Sequence, residues 1–137
     1  HISGQMKIAP EHTSPHVLDA MHKKPLFDLS SFIESYKRAI KSLGKKEYII
    51  PYLMSCHPGC SQEDMKRMKG EVLELFGFVP KQVQAFIPLP MTTASVIYYT
   101  GIDPTNKKSY STEKDGNNRR KQHNIFFQTK TNKHKNK

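Results

Sequence analysis

The stretch YIIPYLMSCHPGCSQEDM, residues 48–65, contains the pattern that decides the fold. Its first half is a nearly continuous apolar run of strand-forming residues, typical of a strand covered on both faces, although Pro51 cannot donate to a sheet ladder. Its second half opens a helix, because Ser61 suits an N-cap and the acids Glu63 and Asp64 suit the first turn. The stretch therefore predicts a β-strand that turns tightly into an α-helix through CHPGC.

The same alternation continues on both sides. Upstream, QMKIAPE predicts a strand, PHVLDAMHK a helix with Ser14 as N-cap, and SSFIESYKRAIKSLG a second helix with Ser31 and Glu34 as a capping box. Downstream, the helix that opens at Ser61 ends at Gly77, and KQVQAFIPLP predicts another strand. Strands thus recur roughly every 35–40 residues with helical patterns between them, which is typical of βα units with a parallel sheet. We therefore expect an α/β fold.

Three polar turns, APEH, SCHPG and PLPMT, follow the three predicted strands. Right-handed crossovers place the carboxyl ends of parallel strands on the same edge of the sheet. In open α/β sheets and in (β/α) barrels, this is the edge where ligands bind. We therefore expect the three turns to converge on a ligand-binding rim.

The net charge of +10 is unevenly spread over the 137 residues. Residues 107–137 hold ten Lys or Arg and two acids, whereas residues 1–106 hold twelve and ten. The basic tail is also rich in Asn and Thr, so we expect residues 107–137 to be mostly disordered, with Ile125-Phe126-Phe127 as a short segment that docks. Such a tail could bind RNA or another polyanion by counterion release, or it could be a solvated terminus.

No apolar run approaches the ~18 residues that span a membrane, and the N-terminus does not resemble a signal peptide. We therefore expect a cytoplasmic location and no membrane partner. The chain begins with His1, and HISGQMKIAP has the pattern of a strand already under way. This start indicates a fragment of a longer protein.

Cys56 and Cys60 lie four positions apart with His57 between them. A structural zinc site needs four ligands, a thioredoxin-like site needs two intervening residues, and an iron–sulfur cluster needs three or four thiolates. The favoured interpretation is a strand-to-helix turn with two free thiols. A metal-binding module built on these three residues remains an alternative.

Three stretches resemble, in chain order, the C-terminal half of the YgiQ-type radical S-adenosylmethionine (radical SAM) proteins: SGQMKIAPEHTSPHVLDAMHKKP, YIIPYLMSCHPGCSQEDM and VQAFIPLPMTTASVIYYTGIDP. The resemblance covers residues 3–104 and continues weakly through RRKQHNIFFQ. EHTSPHVLDAMHK, LMSCHPGCSQED and FIPLPMTTAS are also similar to turns of the methylthiotransferase branch of the superfamily.

The resemblance implies an α/β fold that forms the C-terminal half of a (β/α)6 partial TIM-like barrel. Residues 1–90 would supply barrel strands four to six, residues 91–106 the start of a C-terminal extension, and residues 107–137 the basic tail. In such an enzyme a C-x3-C-x2-C loop holds a 4Fe–4S cluster, which cleaves S-adenosylmethionine to a 5′-deoxyadenosyl radical. That motif is absent from this chain. The resemblance therefore implies that the parent protein is the enzyme, that the rest of its barrel is the partner of this chain, and that the fragment alone holds no cofactor and is inactive.

The resemblance also implies contacts to S-adenosylmethionine. The first turn would lie at its methionine moiety, the second near its ribose and adenine, and the third at the rim toward adenine or substrate. The residues concerned are Glu11 and His12, then His57, Pro58 and Gly59, and finally Pro88 with Pro90 and Met91. Cys60-Ser61 stands where the superfamily has Glu-Thr, so the role of that glutamate is not carried over. No catalytic or metal-ligating residue is predicted.

Overall fold

The computed structural model describes residues 4–24 and 28–128. Three parallel strands form one sheet in the order β1-β2-β3, and helices connect them along the chain. In chain order the elements are β1 (Gln5–Glu11), α1 (Pro15–Ala20), α2 (Leu29–Ser42), β2 (Tyr48–Ser55), α3 (Gln62–Phe76), β3 (Gln84–Ala85), α4 (Thr93–Thr100) and α5 (Gly116–Ile125). The predicted α/β class with a parallel sheet is confirmed, whereas the placement of these strands in a half-barrel stays a prediction.

Strand β2 alternates between the two faces of the sheet. Ile49, Pro51 and Leu53 are buried, while Tyr48 and Tyr52 are exposed on the opposite face, so the prediction that this strand is covered on both faces is wrong. β3 pairs only with the last two residues of β2, so Pro51 lies in a part of β2 that has a neighbouring strand on one side only. A proline is tolerated at such a position, because no ladder hydrogen bond is lost on the open side.

The helix ends follow local sequence signals at most positions. Ser14 and Pro15 begin α1, and Ser61 forms a reciprocal capping box with Asp64 at the start of α3, which ends at Gly77 in the left-handed conformation. Helix α2 differs from the prediction.

The predicted capping box of Ser31 and Glu34 is wrong, because α2 begins earlier, with Asp28 as its N-cap. The Asp28 carboxylate accepts hydrogen bonds from the Ser30 amide and from the Ser31 hydroxyl. The serine that was expected to cap the helix is therefore engaged by an upstream acid, and α2 gains nearly a full turn at its start.

The apolar core lies between one face of the sheet and the surrounding helices. Helix α3 supplies much of it, because its methionines and Val72 are fully buried. The core residues are Val17, Ile33, Ile49, Leu53, Cys60, Met65, Met68, Val72, Phe76, Val83, Ile125 and Phe126. Two of them, Ile125 and Phe126, come from the basic tail.

The prediction of disorder fails for residues 107–128. Ile102 forms an antiparallel bridge with Ser109, Asp115 caps α5, and α5 packs against α3. Phe126 follows α5 and is fully buried. The prediction that Ile125-Phe126-Phe127 docks is confirmed for Ile125 and Phe126, which are buried in the core, whereas Phe127 is 39% exposed. Residues 129–137, the remainder of the predicted disordered tail, lie outside the described residues.

Residues 91–106, predicted as the start of a C-terminal extension, contain α4 and the turn after it. None of the helices in the described ranges combines the length and the apolar character that a bilayer-spanning segment requires.

Candidate functional site

The turns that follow the three strands meet at one edge of the sheet, here called the rim. The first turn touches the second, because His12 Nε2 lies 3.5 Å from Cys60 Sγ. The second turn also touches the carboxyl end of β3, because the His57 ring packs edge-on against Phe86 at 4.8 Å between centroids. The carboxyl ends of the three strands therefore lie at one edge, as predicted, and the first two turns are in contact there.

The rim carries unusual backbone conformations. Glu11 at the end of β1, Cys56 directly after β2 and Met91 in the turn after β3 all have positive φ, of 65°, 60° and 64°. The pairing of β1 with β2 also shifts register between Ile8 and Glu11. Outside the rim, His22 and Lys107 are the other non-glycine residues with positive φ in the described part of the chain. Left-handed backbone is costly for residues with a β-carbon, and it tends to occur at ligand sites.

His12 is enclosed, with 1% of its surface exposed. Its Nδ1 accepts hydrogen bonds from the amides of Thr13 at 3.0 Å and Ser14 at 2.9 Å. Burial lowers the pKa of His12 to about 4, so the ring is neutral and its proton is on Nε2, facing Cys60 Sγ. Burial also raises the pKa of Cys60 to about 12. The pair is thus a neutral imidazole beside a thiol, unlike the ion pair of a nucleophilic cysteine.

Asp64 joins the first turn to the start of α3. Its carboxylate accepts hydrogen bonds from the hydroxyls of Ser14 at 2.8 Å and Ser61 at 2.5 Å, and from Arg67 at 2.6 Å, and it lies 3.2 Å from His16 Nε2. Burial disfavours the ionised form, but the hydrogen bonds from Ser61 and Ser14 outweigh burial and hold the pKa of Asp64 below its usual value. The sequence indicated Asp64 as a first-turn acid and gave no signal for its contact with Ser14.

The second turn is covered by the C-terminal segment, residues 102–128. The Gly59 amide donates to the Ser111 carbonyl at 2.7 Å. The Gln122 side chain donates to the Cys60 carbonyl at 2.6 Å, and the Tyr110 ring lies over Gly59. These contacts close the CHPGC turn from outside.

Arg119 is the centre of this cover. Its guanidinium donates to three carbonyl oxygens, those of Cys56 at 3.3 Å, Glu113 at 3.2 Å and Phe86. It also stacks on Tyr98, with 5.4 Å to the ring centroid. The Arg119 side chain therefore connects the carboxyl ends of β2 and β3 to the C-terminal segment. The sequence did not indicate this role, because Arg119-Arg120-Lys121 has the pattern of a solvated basic run.

The six predicted cofactor residues fall into two groups. Glu11 and Pro88 are partly exposed at the rim, and the Glu11 carboxylate has Lys23 Nζ at 3.6 Å. The side chains of His12, His57 and Pro58 are buried, and the Gly59 amide is already hydrogen-bonded. The structure thus brings all three turns together but leaves only Glu11 and Pro88 of the six open to a ligand.

Cys56 and Cys60 are both free and buried, and burial raises the pKa of each. The Cys56 thiol faces the Arg119 carbonyl at 3.2 Å. Within residues 4–24 and 28–128 there is no group of three or more His, Cys, Asp or Glu side chains arranged to hold a metal ion. These surroundings favour two structural thiols over a redox pair.

The contact over Gly59 leads to a testable prediction. A β-carbon at Gly59 would lie 3.2 Å from the Tyr110 ring, and Gly59 has a φ of +84°. We expect Gly59→Ala to lower the free energy of unfolding by about 2–3 kcal/mol, of which the left-handed backbone accounts for about 1 and crowding against Tyr110 for the rest. Urea unfolding measures the change.

Gly77→Ala is the matched control, because Gly77 has a φ of +79° and nothing within 4 Å of its added β-carbon. We expect Gly77→Ala to lower the free energy of unfolding by about 1 kcal/mol. Equal losses of unfolding free energy in the two variants would mean that Tyr110 does not crowd a β-carbon at Gly59.

Comparison with known proteins shows relatives over most of the chain. The chain is 48% identical over 104 residues to a UPF0313 protein of Clostridium perfringens, a match that covers 76% of this chain and 16% of the relative. It is 50% identical over 111 residues to a UPF0313 protein of Methanosarcina acetivorans, a match that covers 80% of this chain and 15% of the relative. It is 39% identical over 133 residues to a UPF0313 protein of Fusobacterium nucleatum, a match that covers 97% of this chain and 23% of the relative.

The chain therefore spans between 15% and 23% of the length of these three relatives, whose names state no activity. No family model matches the chain, and no solved structure gives a significant match.

Proposed function

Because the chain belongs to the UPF0313 family, we propose that it forms part of a radical SAM enzyme, in which its rim contributes to the S-adenosylmethionine site. The 4Fe–4S cluster is then bound by residues outside this chain, since the chain lacks the cluster motif. The UPF0313 family includes the YgiQ-type proteins that the sequence resembles.

One observation carries this proposal: each of the three rim turns holds a non-glycine residue in the left-handed conformation. Each such residue costs on the order of 1–2 kcal/mol. Loops that only connect a strand to a helix would not need three of them at one edge. Strain concentrated at the carboxyl ends of parallel strands, where α/β proteins bind ligands, supports a ligand site there.

The chemistry of the exposed rim residues fits S-adenosylmethionine in part. The partly exposed Glu11 carboxylate suits the α-ammonium group of its methionine moiety. Pro88 and the exposed Pro90 offer an apolar surface that suits a flat adenine ring. Bound beside a reduced cluster, the cofactor would supply radical chemistry for abstracting hydrogen from a substrate, with Glu11 and Pro88 among the residues that would hold it.

The enclosed residues do not fit as direct contacts in this conformation. His12 uses both ring nitrogens within the protein, and the Gly59 amide is satisfied by Ser111. His57 and Pro58 are packed under the C-terminal segment. We assign these four residues a supporting role: they fix the backbone of the rim and exclude water beneath it, so that Glu11 and Pro88 are held in place.

The proposal predicts an effect of Glu11 on cofactor cleavage. Because this chain lacks the cluster motif, the assay uses the Fusobacterium nucleatum relative with its matching stretch replaced by this chain. The chimera is reconstituted anaerobically with iron and sulfide, and release of 5′-deoxyadenosine is measured. We expect Glu11→Gln to reduce cleavage at least tenfold, which corresponds to about 1.4 kcal/mol.

Glu74→Gln is the control, because Glu74 is an exposed glutamate on α3 away from the rim. It should leave cleavage unchanged. Equal rates for the two variants would remove Glu11 from the cofactor site, and a chimera that binds no cluster and releases no 5′-deoxyadenosine would refute the enzymatic role.

A further inference from the structure

The segment from Ile87 to Ile102, here called the apolar lip, exposes apolar side chains along its length. No Asp, Glu, Lys or Arg occurs between Lys81 and Asp103. Six large apolar residues of the lip are at least 42% exposed: Ile87, Leu89, Met91, Val96, Tyr99 and Ile102. Monomeric proteins rarely expose contiguous apolar patches above a few hundred Å², and larger ones mark interaction surfaces.

Helix α4 within the lip has apolar side chains on both its inner and its outer side. Ile97 is fully buried on the inner side, whereas Val96 and Tyr99 point outward and are 42% and 66% exposed. A surface helix normally places polar or charged residues on its outer face, and a helix that is apolar all round is normally buried all round. The outer face of α4 carries Val96 and Tyr99 beside Thr100 and holds no charged residue, so it is more apolar than the outer face of an ordinary surface helix.

The lip is held in this exposed position by hydrogen bonds. The Leu89 carbonyl accepts from the hydroxyls of Thr92 at 2.9 Å and Ser95 at 2.5 Å, and the Tyr99 carbonyl accepts from Lys114 at 3.1 Å. Arg119 packs on the neighbouring Tyr98. Because both ends of α4 are fixed in this way, the lip is a preformed surface rather than a loose segment that folds back onto the core.

The composition of the lip and the length of the relatives identify what covers it. An uncharged surface offers no electrostatic steering for a transient partner, and strongly apolar interfaces are typical of permanent contacts. The three relatives described above are about four to seven times longer than the part that this chain matches. Most of such a protein is therefore available to pack on the lip within the same polypeptide.

We propose that the apolar lip is the docking surface for another part of the UPF0313 polypeptide, an apolar helix or strand that packs on α4 and Leu89 and closes the rim from one side. The proposal rests on family membership and on the exposed lip. It does not require the radical SAM reaction.

Met91 provides a direct probe, because its side chain is 104% exposed while Met65 and Met68 are fully buried. Oxidation of each methionine by hydrogen peroxide is followed by mass spectrometry in the 137-residue chain and in the Fusobacterium chimera, both without cluster or S-adenosylmethionine. We expect Met91 to react at the rate of a free methionine in the 137-residue chain and at least tenfold more slowly in the chimera. Met65 and Met68 should be protected in both. Equal rates for Met91 in the two proteins would overturn the proposal.

A pair of variants keeps the test independent of overall folding. Leu89→Gln in the chimera should weaken docking and raise Met91 oxidation at least fivefold. Leu73→Gln, at a leucine that is 50% exposed on α3, should not. If Met91 protection in the chimera instead rises with the concentration of the chimera, the lip binds a second copy, and packing within one polypeptide is refuted. Since no cofactor is present, either result leaves the cleavage assay of Glu11→Gln as a separate test.

Discussion

Replacing Phe126 by alanine is expected to lower the free energy of unfolding by about 3–5 kcal/mol, the usual cost of deleting a buried phenylalanine ring. Phe126 is fully buried in the main core, although it lies in a segment with a large excess of Lys and Arg. The loss is large because the ring anchors α5, and with it the cover over the rim. Urea unfolding of the 137-residue chain, followed by circular dichroism, measures it.

Phe127→Ala is the matched control. This neighbouring ring is 39% exposed, so its removal should cost less than half as much. If Phe126→Ala and Phe127→Ala had similar small effects, residues 107–128 would not be part of the folded core in solution.

The packing of Phe126 also changes how the alternative function must be tested. Polyanion binding through the basic tail stays a prediction, and the simplest test of it is deletion of residues 107–137. Such a deletion would also remove α5 and Phe126 from the core, so lost binding could reflect unfolding. Neutralising exposed cations such as Arg120 and Lys121, with binding measured against salt, separates the two effects.

The order of strands and helices up to β3 could be predicted because it depends on local signals. Ser61 and Gly77 mark the ends of α3 through capping chemistry, and the apolar run of residues 48–55 marks β2 as a strand. The apolar character of Ile125-Phe126-Phe127 was enough to predict that this short segment docks. The helix α5 before it and the part of the core that receives it could not be predicted, because both depend on tertiary contacts made in a polar context.

The position of the rim could also be predicted, since parallel strands with helical crossovers place their carboxyl ends together. The accessibility of its residues could not. Gly59 is covered by Ser111 and Tyr110, which lie some fifty residues later in a stretch that composition predicts to be disordered. Long-range contacts of this kind leave no periodic pattern in the sequence. The sequence therefore indicated residues whose chemistry suits a ligand site, but it could not indicate that the C-terminal segment buries most of them.

Replacing Asp64 by alanine is expected to lower the free energy of unfolding by about 3 kcal/mol at neutral pH. Asp64 is 4% exposed, and the change removes its hydrogen bonds to Ser14 and Ser61 and its ion pair with Arg67. The loss exceeds the ~1 kcal/mol of an ordinary helix cap, because the Ser14 hydroxyl, itself fully buried, loses its acceptor. Glu63→Ala is the control, since Glu63 is an exposed acid of the same helical turn.

The same carboxylate makes this part of the stability dependent on pH. The pKa of Asp64 is lower in the folded protein than in the unfolded chain, where it is about 3.9. Its contribution is therefore fully present above about pH 5 and is lost as the pH falls through the unfolded value toward the lowered folded one. The difference in unfolding free energy between the wild type and Asp64→Asn, measured by urea unfolding at pH 7 and at pH 3, should shrink in acid. A difference that stayed constant between the two pH values would mean that Asp64 has the same pKa in both states, and that its hydrogen bonds to Ser14 and Ser61 do not favour the ionised form.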